Sequence, residues 1–269
     1  MYIGIDIGGT NIKGVLLDGK KVIDKTKTPT RSKSSRKIII AQIFNCINRL
    51  VDGRKGIKGI GIGVAGPVDF KNQRILNPPN VTGLRNLYLG KMVQNEFNIK
   101  TIIDNDVHCL VLAEAILGAG KGKKTIIGLG IGTGVGGGIV FNGKIFHGTN
   151  GTAAEIGHMI ILWGDRQCRC GNKGCLEAYI NEKGIRITAS KIFGRKIDSI
   201  TLYEMARKKD KKAIKVWEIT GQYLGIGLAN IVNIFNPDII VVGGGISGVN
   251  EFLLGPARKE MKKNLLSLL

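Results

Sequence analysis

IGIDIGGTNIKGVLLDGK at residues 3–20 returns without a gap as IGLGIGTGVGGGIVFNGK at residues 127–144, with seven of eighteen positions identical. Each copy reads as a short apolar strand, a glycine-rich turn and a second apolar strand. Each then reaches Asp18-Gly19 or Asn142-Gly143, dipeptides that supply the positive φ angles of a tight hairpin. The chain is therefore read as a duplication in which each half opens with antiparallel strands.

Downstream of each copy the chain alternates between helical and strand patterns. Ile39, Ile40, Ile43, Phe44, Ile47 and Leu50 recur at helical spacing, so Arg36–Val51 is a predicted helix, with Ser34 and Ser35 as caps and Gly53 as its stop. Residues 57–65 then read as a buried strand, 86–97 as a helix, 101–104 as a strand and 107–117 as a helix ending at Gly118. In the second half, 202–208 and Lys211–Phe235 read as helices and 238–242 as a strand. Mixed sheets carrying helices, twice over, predict an α/β fold. An N-terminal domain is expected over 1–107 and a C-terminal domain over 108–269, with a ligand cleft between them.

With 269 residues and 43% apolar content the chain can bury a core without covalent staples. The opening MYIGIDIGGT has neither a basic nor an apolar leader segment. The most apolar late stretch, 225–242, is interrupted by Asn230, Asn233, Asn236, Pro237 and Asp238. Both features predict a soluble, cytoplasmic protein with no membrane partner. Five cysteines, an odd number, suit a reducing compartment.

Forty Lys and Arg against twenty Asp and Glu give a net charge of +20, which favours anionic partners without choosing among them. The densest basic runs, 31–37 and 207–212, contain no aromatic residue on which a base would stack, so they read as solvated faces and nucleic acid is disfavoured.

In Asp6-Ile7-Gly8-Gly9-Thr10-Asn11 the missing side chains let backbone N–H groups approach an anion, Thr10 adds a hydroxyl, and Asp6 could hold a cation on it. Lys13 joins this candidate phosphate set. Gly132-Thr133-Gly134 repeats the device. One glycine turn is ordinarily only a hairpin, but two in duplicated units suit a polyphosphate held from both sides. Gly243-Gly244-Gly245 ends a buried strand and would admit a flat ring or ribose, and no turn fits the P-loop pattern. Asp104-Asn105-Asp106 joins a strand to a helix, where its side chains read either as caps or, at Asp106, as a general base for phosphoryl transfer to an alcohol.

CRCGNKGCLE at residues 168–177 adds Cys168, Cys170 and Cys175. With His158 ten residues before Cys168, they make a closed tetrahedral zinc site, structural because no position is left for water. A bridge between Cys168 and Cys170 would be strained. The cage would orient His158 and, with Glu155 and Glu177, present a polar rim to hydroxyl groups. His147 reads as an ordinary surface or hairpin residue and His108 as packed in its helix.

These motifs, with GVAGP at 63–67, NPPN at 77–80, EIGH at 155–158 and VGGG at 242–245, resemble those of the ROK family (repressor, open reading frame, kinase) among the two-domain actin-like and hexokinase-like ATPases. The resemblance covers nearly the whole chain. It implies ATP-dependent phosphorylation of a hexose at its 6-hydroxyl, most often glucose, with N-acetylmannosamine, N-acetylglucosamine and fructose as alternatives. It makes Asp106 the base and places Gly66, Asn80, Asn105, Asp106, Glu155, His158 and Glu177 at the sugar. Asp6, Gly8, Gly9, Thr10, Asn11, Lys13, Gly132, Thr133 and Gly134 fall at the phosphates, and Gly243, Gly244 and Gly245 at adenosine. ATP, Mg2+ and a structural Zn2+ are the implied cofactors, and a homodimer or higher homo-oligomer the implied assembly. Two departures are expected to matter. The first strand begins at Tyr2, leaving no helix-turn-helix before it, and the chain stops at Leu269, short of the family's last strand and closing helix. A shortened, inactive sugar-sensing protein is the rival expectation.

Overall fold

The computed structural model describes residues 1–266 and divides into two compact units. The first comprises Met1–Cys109 with Phe146–Ala153, and the second Leu110–Ile145 with the chain from Ala154 onward. The expected break at 107/108 lies two residues from the first of these boundaries. The return of Phe146–Ala153 to the first unit has no counterpart in the linear reading.

In the first unit β1 (Tyr2–Ile7), β2 (Asn11–Asp18) and β3 (Lys21–Pro29) form an antiparallel meander. After α1 (Arg36–Val51), β4 (Gly59–Val64) joins the other edge of β1 in parallel. A small hairpin of β5 (Val68–Asp69) and β6 (Arg74–Ile75), then α2 (Leu89–Phe97), lead to β7 (Thr101–Asn105), which completes the order β3-β2-β1-β4-β7. Ile3, Ile5 and Ile7 alternate along β1 and are buried in one cluster with Ile39, Ile43, Ile47 and Leu50 of α1. A period of two on the strand thus meets a period of three to four on the helix.

The helix α3 (Asp106–Leu117) begins in the first unit and continues in the second. There β8 (Thr125–Ile131), β9 (Val135–Phe141) and β10 (Lys144–Ile145) repeat the meander. They are followed by α4 (Glu177–Ile180), α5 (Glu182–Phe193), α6 (Ser199–Arg207) and α7 (Lys211–Phe235). Then β11 (Ile239–Gly243) lies parallel to β8 in the order β10-β9-β8-β11, and α8 (Glu251–Lys263) follows. The core of this unit gathers Ile127, Leu129 and Ile131 with Tyr179, Trp217, Leu224 and, from α8, Leu253 and Ala257.

Both copies of the repeat are therefore hairpins with a parallel strand added at the same edge. Their turns differ, however. Ile7 pairs with Ile12 across four residues, whereas Ile131 pairs with Val135 across three. The ungapped alignment conceals a one-residue change of register. Ser35 stands at the N-cap of α1 but makes no side-chain cap bond. The helix expected from 86 starts at Leu89, because Leu87 bridges to Ile75 instead. Beyond Gly245 the described residues add α8 and no further strand. Among the described residues no helix is long and apolar enough to cross a membrane.

Candidate functional site

In the first unit, β7 delivers Asp104 and Asn105 to the start of α3, and Asp106 is the first helical residue. Asn105 does the capping. Its Oδ1 accepts the backbone N–H groups of Val107 at 2.8 Å and His108 at 3.2 Å, and its Nδ2 donates to the Gly66 carbonyl at 3.0 Å. Asp106 accepts the Val107 N–H at 2.9 Å through Oδ1. Burial pushes the Asp106 carboxyl above the usual carboxylate range; the Val107 hydrogen bond opposes that shift and the nearby charge of Asp6 adds to it. A carboxylate whose proton affinity is raised in this way suits a general base.

Two histidines converge on the neighbouring carboxylate. His108 Nδ1 and His147 Nε2 each lie 2.8 Å from Asp104, on Oδ1 and Oδ2 respectively. His108 is packed in its helix as expected, with a hydrogen bond added, whereas His147 is not the ordinary surface or hairpin residue it was expected to be. His108 is buried and hydrogen-bonded, and His147 stacks on Phe70 with ring centroids 4.2 Å apart. Asp104 lies on β7 before α3 begins, so its contact with His108 is not a helical i, i+4 pair, and the 43-residue separation of Asp104 and His147 left no local signal either.

The first glycine turn lies against Asn80: a side chain at Gly9 would meet the Asn80 Cβ at 3.1 Å. The Gly8 N–H donates to the Asn11 carbonyl at 3.1 Å, closing the turn. Asp6 is more than half exposed, with Lys13 Nζ at 4.0 Å.

In the second unit the Gly132 N–H donates to the Gly134 carbonyl at 2.9 Å, and Asn181 Nδ2 donates to the Thr133 carbonyl at 3.2 Å. Glu177 is buried, and its Oε2 accepts the Val135 N–H at 2.8 Å, tying this turn to the cysteine loop. Glu155 is exposed immediately before the helical turn Ile156–His158.

All five cysteines are free thiols. Cys168 Sγ lies 3.6 Å from His158 Nδ1, Cys170 Sγ lies 3.7 Å from Cys175 Sγ, and the four ligand atoms fall within 4.8 Å of one another. A tetrahedral zinc ion with its usual bond lengths separates two sulfurs by about 3.8 Å and a sulfur from a nitrogen by about 3.6 Å. The Cys168–His158 and Cys170–Cys175 separations match those values, and the four atoms are close enough together to surround one ion. His158 faces them through Nδ1, and its Nε2 has no hydrogen bond among the described residues.

Gly243, Gly244 and Gly245 close β11. Gly244 has φ +92° and lies directly against the backbone of Ile131, where a Cβ would collide with the carbonyl oxygen, whereas a Cβ on Gly245 meets nothing within 4 Å. Gly244→Ala is accordingly expected to destabilise the protein by about 1–3 kcal/mol from backbone strain alone. Gly245→Ala should leave the melting temperature unchanged. Paired thermal melts check both.

The model of the ROK family matches residues 2–269. This chain belongs to the ROK family. Among ROK relatives, the glucokinase of Halalkalibacterium halodurans is 34% identical, with 97% of this chain and 85% of its own length aligned. The xylose repressor of Bacillus spizizenii is 33% identical over 98% of this chain and 69% of the repressor. The crystal structure of a ROK family glucokinase from Streptomyces griseus in complex with glucose and AMPPNP is similar with a TM-score of 0.84 and 29% identity, covering 99% of this chain and 90% of that one. Kinases and repressors thus share the ROK scaffold found here.

Proposed function

We propose that this ROK protein is a cytoplasmic kinase that transfers the γ-phosphoryl group of ATP to the 6-hydroxyl of a hexose, glucose first among them. The reading is carried by one observation: Asn105 takes over the cap of α3 and leaves Asp106 beside it with a raised proton affinity. The kinship with glucokinases aligned over nearly the full chain supports the same reaction. Asp106 Oδ2 takes the proton of the hydroxyl while the freed oxygen attacks the γ-phosphorus. The bond from that phosphorus to the bridging oxygen breaks, and ADP leaves with the electron pair.

The amides of the turns at 8–11 and 132–134, with Thr10 and Lys13, are assigned to the phosphates. The adenosine is assigned to the loop at 243–245, where Gly245 is open. Mg2+ arriving with ATP would supply charge neutralisation on the phosphates, and the half-exposed carboxylate of Asp6, paired with Lys13 at 4.0 Å, is assigned to support it. Gly66, Asn80 and Asn105 in one unit and Glu155, His158 and Glu177 in the other are assigned to the sugar hydroxyls. His158, Cys168, Cys170 and Cys175 hold a structural zinc that orients the His158 ring.

Release of ADP measured with glucose, N-acetylglucosamine, N-acetylmannosamine and fructose tests the reading, with polyphosphate as an alternative donor. Xylose lacks the carbon that bears the 6-hydroxyl and should bind without turnover. Kinship with the xylose repressor motivates the rival reading of sugar binding alone. Calorimetric binding of a hexose with no ADP formed from any of the four would decide for the rival.

A further inference from the structure

The segment Phe146–Ala153 leaves the second meander, packs in the first unit and returns at Ala154, one residue before Glu155. Inside the first unit it is held by side chains rather than by a sheet. The His147 ring stacks on Phe70 at an interplanar angle of 20° and meets the edge of His108 at 5.5 Å. Its Nε2 reaches Asp104 Oδ2. The other oxygen, Oδ1, accepts from His108 Nδ1 and from the Asn105 backbone N–H at 2.7 Å. Asp104 thus has both oxygens engaged and its side chain only 14% exposed.

A carboxylate between two imidazoles also raises the question of a metal ion. The spacing does not suit a tetrahedral zinc. Two nitrogen or oxygen ligands of one tetrahedral zinc stand about 3.3 Å apart, whereas both contacts here are 2.8 Å, the length of a charge-assisted hydrogen bond. The Cys168–His158 and Cys170–Cys175 separations of the cysteine cluster meet the tetrahedral spacing and these two contacts do not. Neutral imidazoles suffice, because each needs only one N–H directed at an ionised Asp104. Burial would raise the Asp104 carboxyl, but the hydrogen bonds from His108 and His147 outweigh it and hold the carboxyl below the usual range.

We infer that His147 is a positioning residue for the phosphoryl transfer, acting through Asp104 to set the turn that presents Asn105 and Asp106. The inference rests on the kinase reading above. The physical chain is short: His147 fixes Asp104, Asp104 fixes the Asn105 amide, and Asn105 caps the helix whose first residue is the base. A base displaced by a fraction of an ångström from its hydroxyl loses rate while the sugar contacts remain.

Two substitutions separate the hydrogen bond from the packing. His147→Phe keeps a flat ring on Phe70 and removes the donor, while His147→Gln keeps an N–H within reach and removes the ring. In the purified full chain with its best hexose, His147→Phe is expected to lower kcat about 10- to 100-fold with little change in hexose KM. His147→Gln should recover kcat to within about threefold of the parent. Normal turnover in His147→Phe, or a Gln variant no better than the Phe variant, overturns the assignment. Amide hydrogen exchange of residues 105–107 reads the same clamp without turnover. Exchange should quicken in His147→Phe and not in His147→Gln, and unchanged exchange in His147→Phe overturns the inference. A parent protein that phosphorylates no hexose defeats the kinase reading alone, and the exchange measurement still decides the clamp.

Discussion

Asp106→Asn is expected to lower kcat by about 10²- to 10⁴-fold, the contribution of a positioned general base, while the protein stays folded and binds hexose. The substitution keeps the shape of the side chain and an oxygen that can accept the Val107 N–H, so the capped turn survives. The ability to take a proton is removed. The direction of the pKa shift adds a pH signature. Burial raises the Asp106 carboxyl, against the Val107 hydrogen bond and together with the charge of Asp6, so kcat/KM should fall on the acid side at a pH above the ordinary aspartate value of about 3.9. The same shift carries a stability consequence. The folded state binds this proton more tightly than the unfolded chain, so the contribution of Asp106 is fully favourable at low pH. It is lost as pH rises from the ordinary value through the raised one. At neutral pH Asp106→Asn is therefore expected to melt no lower than the parent, and higher if desolvation dominates. ADP release and thermal melts at several pH values check both limbs. A variant that turns over normally removes Asp106 as the base, and one that is folded but clearly less stable contradicts the burial argument.

Cys170→Ser is expected to abolish stoichiometric zinc and with it most of the hexose affinity. Cys170 is the informative choice among the three thiols, because it is exposed whereas Cys168 and Cys175 are buried. Its replacement loses little packing, so a large effect belongs to the metal. Structural zinc sites in small peptides bind with about 10–16 kcal/mol. Here a unit with its own hydrophobic core retains its fold, and the loss should concentrate in the loop from Met159 to Leu176, which returns to itself through the Leu176 N–H on the Met159 carbonyl at 2.9 Å. His158 would lose its fixed ring, and Glu177 would lose the loop that precedes it. Metal analysis of freshly purified parent protein should find close to one zinc per chain, and calorimetry should find weakened hexose binding in the variant. A parent protein without zinc, or a variant that keeps both metal and affinity, rules the cage out.

The duplicated hairpins were legible because their information is local: apolar alternation, a glycine turn and an Asp-Gly or Asn-Gly dipeptide lie within eighteen residues. The helices at Arg36–Val51 and Lys211–Phe235 carry enough turns for the apolar period to stand out, and both end where the pattern ends. The cluster of Cys168, Cys170 and Cys175 was legible for the same reason, since three thiols in eight residues need little help from the fold. By contrast β3 is polar and largely exposed, because it pairs on one edge only and is held by backbone hydrogen bonds to β2. Its alternation carries no hydrophobic signal. The one-residue register difference between the two hairpins was equally hidden, because an ungapped alignment cannot see how a turn closes.

The capping of α3 and the clamp on Asp104 were decided by tertiary structure alone. Asp104, Asn105 and Asp106 are chemically alike as cap candidates, and the choice of Asn105 depends on its amide also meeting the Gly66 carbonyl, 39 residues away. His147 had no pattern around it, and only the return of Phe146–Ala153 to the first unit brings it to Phe70 and Asp104. The residue types needed for the chemistry are thus written in the chain, but the assignment of roles among neighbouring carboxylates is not. That assignment depends on burial and on which hydrogen-bond partners the fold delivers, and both are properties of residues distant in sequence.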